Sequence, residues 1–440
     1  MKKSDTYTQL KKRIISKQAV VAVIGLGYVG LPMAVQFARK GFSVIGIDTS
    51  KKRVTRLKKG ISYIGDVDDK DISEAVASKR FTVTTSAKPL SGCDVVIICV
   101  PTPLNRALKP DISYILSASK ILKQNSRAGQ LVILESTTYP GTTRDIIMPV
   151  LAGREGKAGK DFFLAFSPER IDPGNPRYDF SNIPKLVGGI TEKCTCLAKT
   201  LYEMVTEKAI GLSSPESAEV TKLLENSFRI VNIGLINEFA HLCHKLGIDV
   251  WEVVEAAKTK PFGFMPFYPG PGVGGHCIPA DPMYLSWKAR KVGFETRMID
   301  LAARVNINAP KHVVERISDL LKEQNKKIKG SNILLLGASY KENINDLRES
   351  PALDVIKLLD GKKAAWSYCD SFIPYLDICG IRAKSKTLSK SLVKKQDLVV
   401  ILTGHSGVDY EMVAANAKLI FDTRNVAGKK GIKGENIVKL

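Results

Sequence analysis

Cys277 is the residue of this chain whose type and setting best fit covalent chemistry. It lies in a segment rich in glycine and proline, PGPGVGGHCIPADPMY, and Asp281 follows four residues later. A cysteine thiolate is a strong nucleophile, and a nearby carboxylate can order a water molecule or move a proton. The same segment also fits a structural turn, so by itself it predicts a candidate nucleophile and no particular reaction.

A second segment that could do chemistry, GLGYVG, lies near the start of the chain. Gly25 permits a tight turn, Gly27 lets the backbone approach a pyrophosphate, and Gly30 allows a helix to pack against a strand. The apolar run Ala19–Ile24 predicts a buried parallel strand before the turn, and Leu31–Lys40 predicts a helix whose N-terminus can bind phosphate. The alternative is a structural turn without a ligand.

The next predicted strand, Phe42–Ile47, delivers Asp48. A carboxylate at this position accepts hydrogen bonds from the ribose hydroxyls of adenosine and repels the 2′-phosphate of NADP. The basic run Lys51–Arg53 follows closely and would attract that phosphate. We expect NAD as the cofactor, with Asp48 as the residue that decides this preference.

Two further strands predicted for the same sheet end in turns that contain threonine. Asp94–Val100 is followed by Thr102, and Gln130–Glu135 is followed by Thr137 and Thr138. Ligands of open parallel sheets bind beyond the carboxyl ends of the strands, so these hydroxyls are expected near the nicotinamide and its substrate. For Thr138, a role in a turn or a helix cap fits nearly as well.

The middle of the chain, Glu216–Leu246, has the apolar spacing of a long helix. Lys222 and Asn226 lie four residues apart and share a face, from which an ammonium and an amide could stabilise an oxyanion. The spacing alone favours a surface lysine beside a polar neighbour. His241 and His244 also share a face, but no further ligand pair accompanies them, so no metal site is expected.

The C-terminal third repeats the strand pattern of the first third without its complete set of glycines. Asp370 follows the second strand there, as Asp48 does in the first sheet. Lys341 and Arg348 follow the first strand, where charged side chains can supply anion contacts that glycines do not. Solvated surface positions are the alternative for both. The predicted strands are Asn332–Leu336, Ala364–Cys369, Asp397–Thr403 and Lys418–Asp422.

Length and charge limit the class of protein. At 440 residues the chain should form two or three domains. The 66 Lys and Arg against 44 Asp and Glu give a net charge of +22, which favours anionic partners. The lysines are spread in pairs, with no basic arm of the kind that binds nucleic acid, so solvated surface lysine and a small polyanionic substrate explain the charge better.

Cysteine usage and hydropathy indicate the compartment. The eight cysteines show neither paired metal-ligand spacing nor a compact disulfide framework, which favours a reducing cytoplasm. The basic residues before Ala19 imitate a secretory signal, but the apolar run is interrupted by glycines and continues into a second strand pattern. No stretch reaches the roughly 20 apolar residues of a membrane span.

Six motifs in order resemble those of the UDP-glucose/GDP-mannose dehydrogenase family of nucleotide-sugar 6-dehydrogenases. They are GLGYVG, ESTTYPG, SPERIDPG, TKLLEN, GPGVGGHCIPADP and YKENINDLRESP, between Val20 and Arg424. The resemblance implies an α/β fold with two Rossmann-like, doubly wound parallel-sheet domains joined by a central helical layer. The expected domains are an NAD-binding domain at 1–211, a helical dimerisation domain with the cysteine loop at 212–310, and a UDP-sugar-binding domain at 311–440.

The resemblance also implies roles at the matching positions. The implied catalytic residues are Cys277 as nucleophile, Lys222 and Asn226 as oxyanion partners, Asp281 as an acid in a water network, Glu169 in thioester hydrolysis and Thr137 at the reacting C6. The implied cofactor contacts are Gly25, Gly27, Tyr28, Val29, Gly30, Asp48, Arg53, Thr102, Thr137 and Arg348. The implied substrate contacts are Glu169, Arg170, Lys222, Asn226, Gly274 and Lys341.

The family reaction is a four-electron oxidation of the sugar C6 alcohol to a carboxylate with two NAD per sugar. A thiolate suits it, because the intermediate aldehyde donates a second hydride only after a nucleophile adds. Hydrolysis of the resulting thioester needs a base, for which Asp281 and Glu169 are both candidates. A second glutamate found in some relatives is replaced by Pro173, and Asp172 is an alternative whose register is shifted by one residue.

The substrate is predicted from the surroundings of the cysteine. His276 and Pro279 look closer to the branch that oxidises UDP-N-acetylhexosamines than to the UDP-glucose or GDP-mannose branches. UDP-N-acetylglucosamine is the first candidate, followed by UDP-N-acetylmannosamine and UDP-glucose, and the product would be a uronic acid for polysaccharide assembly. The alternatives are a two-electron NAD-dependent hydroxy-acid dehydrogenase, which has no use for Cys277, and an NAD-sensing regulator, whose basic recognition element is missing.

Overall fold

The computed structural model describes residues 5–65, 67–105, 109–153, 155–172, 175, 177–275 and 277–440. Pro173 and His276, on which part of the sequence interpretation rests, lie outside the described residues. The chain divides into two compact units. One comprises the residues up to Glu225 with Trp287–Phe294, and the other comprises Asn226–Ser286 with Glu295–Leu440.

The first unit is built on an eight-stranded sheet with the strand order β3-β2-β1-β4-β5-β6-β7-β8. Neighbouring strands are parallel, except that β6 and β7 are antiparallel. The order reverses on either side of β1, as in a doubly wound Rossmann sheet, so the predicted fold class is confirmed. The strands are β1 Val20–Ile24, β2 Ser43–Ile47, β3 Phe81–Thr84, β4 Val95–Ile98, β5 Leu131–Leu134, β6 Phe163–Phe166, β7 Lys185–Gly189 and β8 Ala209–Leu212.

The central strands are continuously apolar because both faces of the sheet are covered. The sequences VVII, LVIL and FLAF of β4, β5 and β6 are buried along their whole length. Side chains alternate between two clusters, so Val21 and Val23 pack on one face while Ala22 and Ile24 pack on the other. The helices are α1 Thr6–Ile15, α2 Gly30–Arg39, α3 Lys51–Lys58, α4 Asp69–Ala77, α5 Ser113–Asn125, α6 Met148–Ala152 and α7 Glu192–Glu203, with a 3₁₀ helix at Lys88–Gly92 and a π-helix at Thr142–Ile147.

The helical layer contains α8 Pro215–Leu246, α9 Val250–Lys258, α10 Cys277–Lys291 and α11 Arg297–Glu323. Helix α8 begins one residue before its predicted start, and in the second unit it packs closely on α11. A Cβ at Gly234 would lie 3.1 Å from the Cα of Ala302, so the absence of a side chain lets the two helices approach. The amide of Asn306 reinforces this contact by donating to the carbonyl of Ile230 at 3.1 Å.

The second unit also carries a parallel sheet, with the strand order β10-β9-β13-β14-β15. The four strands predicted from sequence are all present, which confirms the second Rossmann-like sheet. A small antiparallel hairpin, β11 and β12, lies outside it. The elements are β9 Asn332–Leu336, α12 Pro351–Gly361, β10 Ala365–Cys369, β11 Tyr375–Ile378, β12 Ile381–Lys384, α13 Lys390–Lys394, β13 Leu398–Ile401, α14 Tyr410–Asn416, β14 Ile420–Asp422, α15 Val426–Lys429 and β15 Ile437–Lys439.

The cysteine segment differs from its sequence interpretation as a turn. Cys277 is the first residue of α10, and Asp281 lies one turn further along the same helix. Pro279 is compatible with this because the first turn of a helix does not need its N–H for an intrahelical bond. Within the described part of the chain, none of the helices combines the length and apolar character needed to cross a membrane.

Candidate active site

The glycine turn after β1 leaves one position open. A Cβ at Gly25 would lie 2.4 Å from the carbonyl oxygen of Cys99, and one at Gly30 would lie 1.9 Å from the carbonyl oxygen of Gly25. These two glycines therefore permit close packing, and Gly25 also has a φ of +91°. A Cβ at Gly27, by contrast, would meet nothing within 4 Å. That open space beside the N-terminus of α2 fits a pyrophosphate.

Asp48 holds this turn together from the end of β2. Its Oδ2 accepts a hydrogen bond from the backbone N–H of Leu26 at 3.0 Å, and its Oδ1 accepts one from Ser50 at 2.8 Å. Arg53 donates to the same carboxylate at 3.3 Å, with its side chain about half exposed. The buried carboxylate thus lies beside the glycine turn, where ribose hydroxyls of a dinucleotide can bind. Tyr28 is half exposed next to Gly27, and Val29 is the N-cap of α2.

The threonines after β4 and β5 have different surroundings. Thr102 is buried, and Thr137 is partly exposed between two buried neighbours. The hydroxyl of Ser136 donates to the carbonyl of Val100 at 2.7 Å, and the hydroxyl of Thr138 lies 2.7 Å from that of Thr142. Thr138 therefore serves the turn, the alternative that its sequence context left open, while Thr137 lies at the carboxyl edge of the sheet.

Glu219 joins this turn to helix α8. It accepts hydrogen bonds from the N–H of Gly141 at 2.6 Å, the N–H of Thr143 at 2.9 Å and the hydroxyl of Thr143 at 2.7 Å. Burial raises the pKa of Glu219 to about 7 although these donors favour its anion. Lys222 is buried one turn further along α8. Sequence reasoning missed Glu219; the available signal was an acid on a predominantly apolar helix.

Glu169 follows β6 and is fixed by three donors. Its Oε1 accepts from the N–H of Arg170 at 2.6 Å and of Ile171 at 2.8 Å, and its Oε2 accepts from the ammonium of Lys185 at 3.1 Å. The guanidinium of Arg170 pairs with Glu225 of α8 at 2.6 Å. The SPER motif thus places one carboxylate and one ion-paired arginine at the carboxyl edge of the first sheet.

In the second unit, Asp281 is paired with Asn226. The amide Nδ2 of Asn226 donates to Oδ2 of Asp281 at 2.5 Å, and both side chains are almost fully buried. Cys277, one turn before Asp281, is exposed at the N-terminus of α10. The partial positive charge of a helix N-terminus favours a thiolate there. An exposed thiol therefore lies one helical turn before a buried amide–carboxylate pair.

The glycines before Cys277 allow the loop to pack against the segment after β9. A Cβ at Gly274 would lie 2.6 Å from the Cβ of Tyr340, and the N–H of Gly275 donates to the carbonyl of Arg348 at 2.9 Å. The Arg348 guanidinium lies against Asp346, with its Nη2 2.6 Å from that carboxylate. Lys341 follows Tyr340 and is partly exposed. The structure thus brings the cysteine loop against the side chain of Tyr340 and the backbone of Arg348, and Lys341 is the residue after Tyr340.

Arg424 is a partly buried cation that the sequence interpretation did not assign to the site. Burial lowers its pKa to about 10, and its Nε donates to the carbonyl of Leu402 at 3.0 Å. A Cβ at Gly270 would lie 2.5 Å from its Nη1, so the cysteine loop passes directly over the guanidinium. A partly buried arginine under a glycine-lined backbone suits an anionic ligand group. In the described ranges, no cluster of three or more His, Cys, Asp or Glu side chains could hold a metal ion.

These features define a class of protein. A glycine turn with open space beside a helix N-terminus and an acid at the end of the next strand are the parts of an NAD-dependent dehydrogenase. The chain belongs to the UDP-glucose/GDP-mannose dehydrogenase family: the models of its NAD binding, central and UDP binding domains match residues 19–206, 216–308 and 334–429. It is therefore an oxidoreductase with NAD as cofactor, as predicted.

Similar proteins cover nearly the whole chain. The UDP-N-acetyl-D-glucosamine 6-dehydrogenase of Salmonella typhi is 36% identical over 391 residues, which are 88% of this chain and 89% of that protein. The Pseudomonas aeruginosa protein of the same name is 39% identical over 345 residues, 78% of this chain and 80% of its own length. The solved structure of the UDP-D-ManNAc dehydrogenase of Pyrococcus horikoshii is 33% identical, with a TM-score of 0.86, and the match covers 96% of this chain and 98% of that one.

Proposed function

We propose that this protein oxidises the C6 alcohol of a UDP-N-acetylhexosamine to the carboxylate, with UDP-N-acetylglucosamine as the first candidate. The two bacterial relatives named above act on UDP-N-acetyl-D-glucosamine, and the archaeal structure is of an enzyme for the mannosamine epimer. The observation that carries the proposal is the exposed Cys277 at the start of α10, one turn before the buried Asp281–Asn226 pair. A two-electron dehydrogenase has no use for such a thiol.

The proposed reaction proceeds through a covalent intermediate. NAD supplies the acceptor for each of the two hydrides that leave C6. After the first hydride has left, the Cys277 thiolate adds to the aldehyde carbon and gives a thiohemiacetal oxyanion. Lys222 and Asn226 stabilise that oxygen by charge and by hydrogen bonding. Loss of the second hydride leaves a thioester on Cys277, which water cleaves to the carboxylic acid and the free thiol.

The hydrolytic step is assigned to two carboxylates. We propose that Asp281 orders the attacking water beside Cys277 and that Glu169 assists thioester hydrolysis. The hydrogen bond from Asn226 supports the role of Asp281, because it fixes the orientation of this carboxylate. Asp281 also lies only one helical turn after Cys277. Thr137, at the carboxyl edge of the first sheet, is proposed to contact the reacting C6.

Binding of the two nucleotides is assigned to different sheets. The first sheet holds NAD through the turn at Gly27 and through Asp48, with Arg53 paired to Asp48, and Thr102 after β4 is assigned to the same site. The second unit holds the UDP-sugar through Gly274 and Lys341, and Arg348 serves the cofactor side. The family models support the three proposed domains, since each match falls inside one of the segments 1–211, 212–310 and 311–440.

We further propose that the protein is a homo-oligomer, with a homodimer as the first candidate and a higher assembly as the alternative. Helix α8 exposes a row of large apolar side chains with helical spacing, which in water favours a covering partner. A second copy of this chain is the proposed partner, and light scattering should give twice the mass of one chain. A reducing cytoplasm is proposed as the compartment, because all eight cysteines are thiols. The exposed residues are Phe228, Leu235, Phe239, Leu242 and Leu246.

The decisive experiment counts NADH. Purified protein is incubated with NAD and limiting amounts of UDP-N-acetylglucosamine, UDP-N-acetylmannosamine, UDP-glucose or GDP-mannose. Two NADH per sugar, with formation of the acid, is the expected result for an N-acetylated UDP-sugar. One NADH per sugar for every substrate would contradict the proposal.

The covalent step is tested by Cys277→Ser, with Cys379→Ser as the matched control at another exposed cysteine. We expect Cys277→Ser to bind NAD as the wild type does and to form acid at least about 10³-fold more slowly, since a hydroxyl is a far weaker nucleophile than a thiolate. Cys379→Ser should behave as the wild type. Acid formation at an unchanged rate in Cys277→Ser would exclude covalent catalysis by this residue.

A further inference from the structure

The first unit contains a buried cluster of charges, and the proposed reaction has used only one of its members, Glu169. The ammonium of Lys185 lies 2.7 Å from Oε2 of Glu135 and 3.1 Å from Oε2 of Glu169, and it also donates to the carbonyl of Pro168 at 3.3 Å. The hydroxyl of Tyr202 donates to the other oxygen of Glu135. The side chains of Lys185 and Glu135 are 3% and 0% exposed, and that of Glu169 is 11% exposed.

The reversed strand explains how these residues meet. Glu135 follows β5 and Glu169 follows β6, so both leave the carboxyl edge of the sheet. Lys185 is the first residue of β7, which runs antiparallel to β6 and therefore begins at that same edge. A parallel strand would have placed its first residue at the opposite edge, about 15 Å away for a strand of five residues.

The pKa values of Lys185 and Glu135 are shifted differently within the cluster. Burial opposes the charge of Lys185, but the two carboxylates raise its pKa, so the ammonium stays protonated. Burial raises the pKa of Glu135 to about 7, against the opposing influence of Lys185. The charged and titratable groups that face Glu135 are Lys185, Glu169, Tyr202 and Cys99. Glu135 is therefore the member whose charge changes near neutral pH.

We propose that Lys185, held in place by Glu135, is a positioning residue that fixes the Glu169 carboxylate for thioester hydrolysis. The proposal rests on the function proposed above. Two backbone N–H groups hold one oxygen of Glu169, and Lys185 holds the other, so loss of the ammonium frees the carboxylate to turn about its last bond. Hydride transfer does not use Glu169, so only the step that consumes the thioester should slow down.

The test uses a variant that keeps the net charge of the cluster. Lys185→Met alone leaves two carboxylates buried without a cation, which destabilises the fold. The double variant Lys185→Met with Glu135→Gln removes one positive and one negative charge and leaves Glu169 unchanged. Lys199→Met is the matched control, because this lysine of α7 forms an exposed ion pair with Glu203 in the same unit.

Rapid mixing with NAD and saturating UDP-sugar separates the steps. We expect the double variant to release two NADH per site in a first turnover at about the wild-type rate, and then to turn over about 100-fold more slowly, in the range typical of a lost general base. Mass spectrometry should find the acyl group on Cys277. Lys199→Met should match the wild type. Equal slowing of the first turnover and of steady state would overturn the proposal, as would an unchanged steady-state rate.

A second readout uses pH. In the wild type, the rate of thioester hydrolysis should rise as pH increases through about 7, because ionised Glu135 then holds the Lys185 ammonium in its position beside Glu169. Glu135→Gln should lack this rise, and a retained rise would contradict the role of Glu135. A wild type that gives one NADH per sugar would refute the proposed function itself. Two NADH per sugar with unchanged variant kinetics would refute only the role of Lys185.

Discussion

The turns after the first strands, β1 and β9, of the two sheets have the same pattern of backbone hydrogen bonds, but different groups surround them. In the first sheet, the N–H of Leu26 donates to Asp48 at 3.0 Å; in the second, the N–H of Ala338 donates to Asp370 at 2.7 Å. Each turn begins with a glycine whose N–H donates to the last residue of the neighbouring strand. The turn geometry is therefore shared, and the difference lies in what surrounds it.

The second turn is filled by the protein itself. His405 lies with its Nε2 3.0 Å from Oδ2 of Asp370 and 3.3 Å from the hydroxyl of Ser339, and both His405 and Ser339 are buried. Its Nδ1 accepts from the N–H of Asn343 at 3.0 Å, which leaves the proton on Nε2 to donate to Asp370. The position matching Gly27 is thus occupied by a buried serine. One turn keeps space for a ligand, and the other uses the same scaffold for stability.

The largest difference should appear between Asp370→Ala and Asp48→Ala. Asp370 accepts from four backbone N–H groups and from His405, so its loss should lower the free energy of unfolding by about 3 kcal/mol or more, as for a broken buried pair. NAD affinity should stay unchanged. Asp48→Ala should weaken NAD binding about tenfold or more, because the ribose loses a charge-assisted bond. Thermal unfolding and NAD titration give both values, and loss of NAD affinity in Asp370→Ala would contradict the division.

The pH dependence of stability tests the structural role of Asp370 further. Burial opposes the charge of Asp370, but the hydrogen bonds from His405 and from the N–H of Ala338 hold the pKa of this carboxyl below its usual value. Its stabilising contribution is present above the unfolded pKa of about 4 and is lost as pH falls through the lower folded value. Stability measured below pH 4 should therefore fall more steeply in the wild type than in Asp370→Ala. Parallel curves would show that the carboxylate contributes nothing.

The next prediction compares substitutions at Gly27, where the turn is open, and at Ser339, where it is filled. Gly27→Ala places a methyl group where no protein atom lies within 4 Å, so the fold should keep its melting temperature. NAD affinity should fall about 100-fold, equivalent to about 2.7 kcal/mol, because the methyl group occupies the space of the pyrophosphate. The matched change Ser339→Ala should lower stability by about 1 kcal/mol and leave NAD binding intact. Unchanged NAD affinity in Gly27→Ala would place the pyrophosphate elsewhere.

The smallest effect concerns Arg53. Its half-exposed ion pair with Asp48 should contribute less than about 1 kcal/mol to stability. Removing it in Arg53→Ala leaves the Asp48 carboxylate less compensated, so discrimination against the 2′-phosphate should increase about threefold. The ratio of kcat/KM with NAD to that with NADP measures this, with Lys52→Ala as a neighbouring exposed control. A variant that used NADP better than the wild type would contradict the assignment.

The central strands were predictable from sequence because a short, continuously apolar run indicates a strand that is buried on both faces. The prediction for β9, Asn332–Leu336, matches the structure, and that for β1 differs by one residue. The direction of β7 was not predictable, since LVGG is compatible with either direction and only its neighbours decide it. The cysteine segment was read as a turn because glycine and proline suggest one, although a proline in the first turn is compatible with a helix.

Parts of the candidate site were also predictable, because they depend on the local sequence. The glycine turn and Asp48 follow local spacing, and their geometry fits the expected cofactor. The partners of Glu219 and Lys185 lie 76 and 50 residues away in the chain, so no spacing rule reveals them. The place of Arg424 in the site was not predictable either, because it depends on the contact with the distant loop at Gly270.

The antiparallel strand β7 also affects how such a protein can diverge. Parallel neighbours must be joined by a crossover that spans the sheet, whereas an antiparallel neighbour returns along the same edge. The connection between β6 and β7 therefore begins and ends at the carboxyl edge of the sheet, and residues inserted in it move neither strand. Loops tolerate changes in length better than the elements they join. Insertion or deletion can thus remodel this edge while the NAD-binding half of the sheet keeps its register.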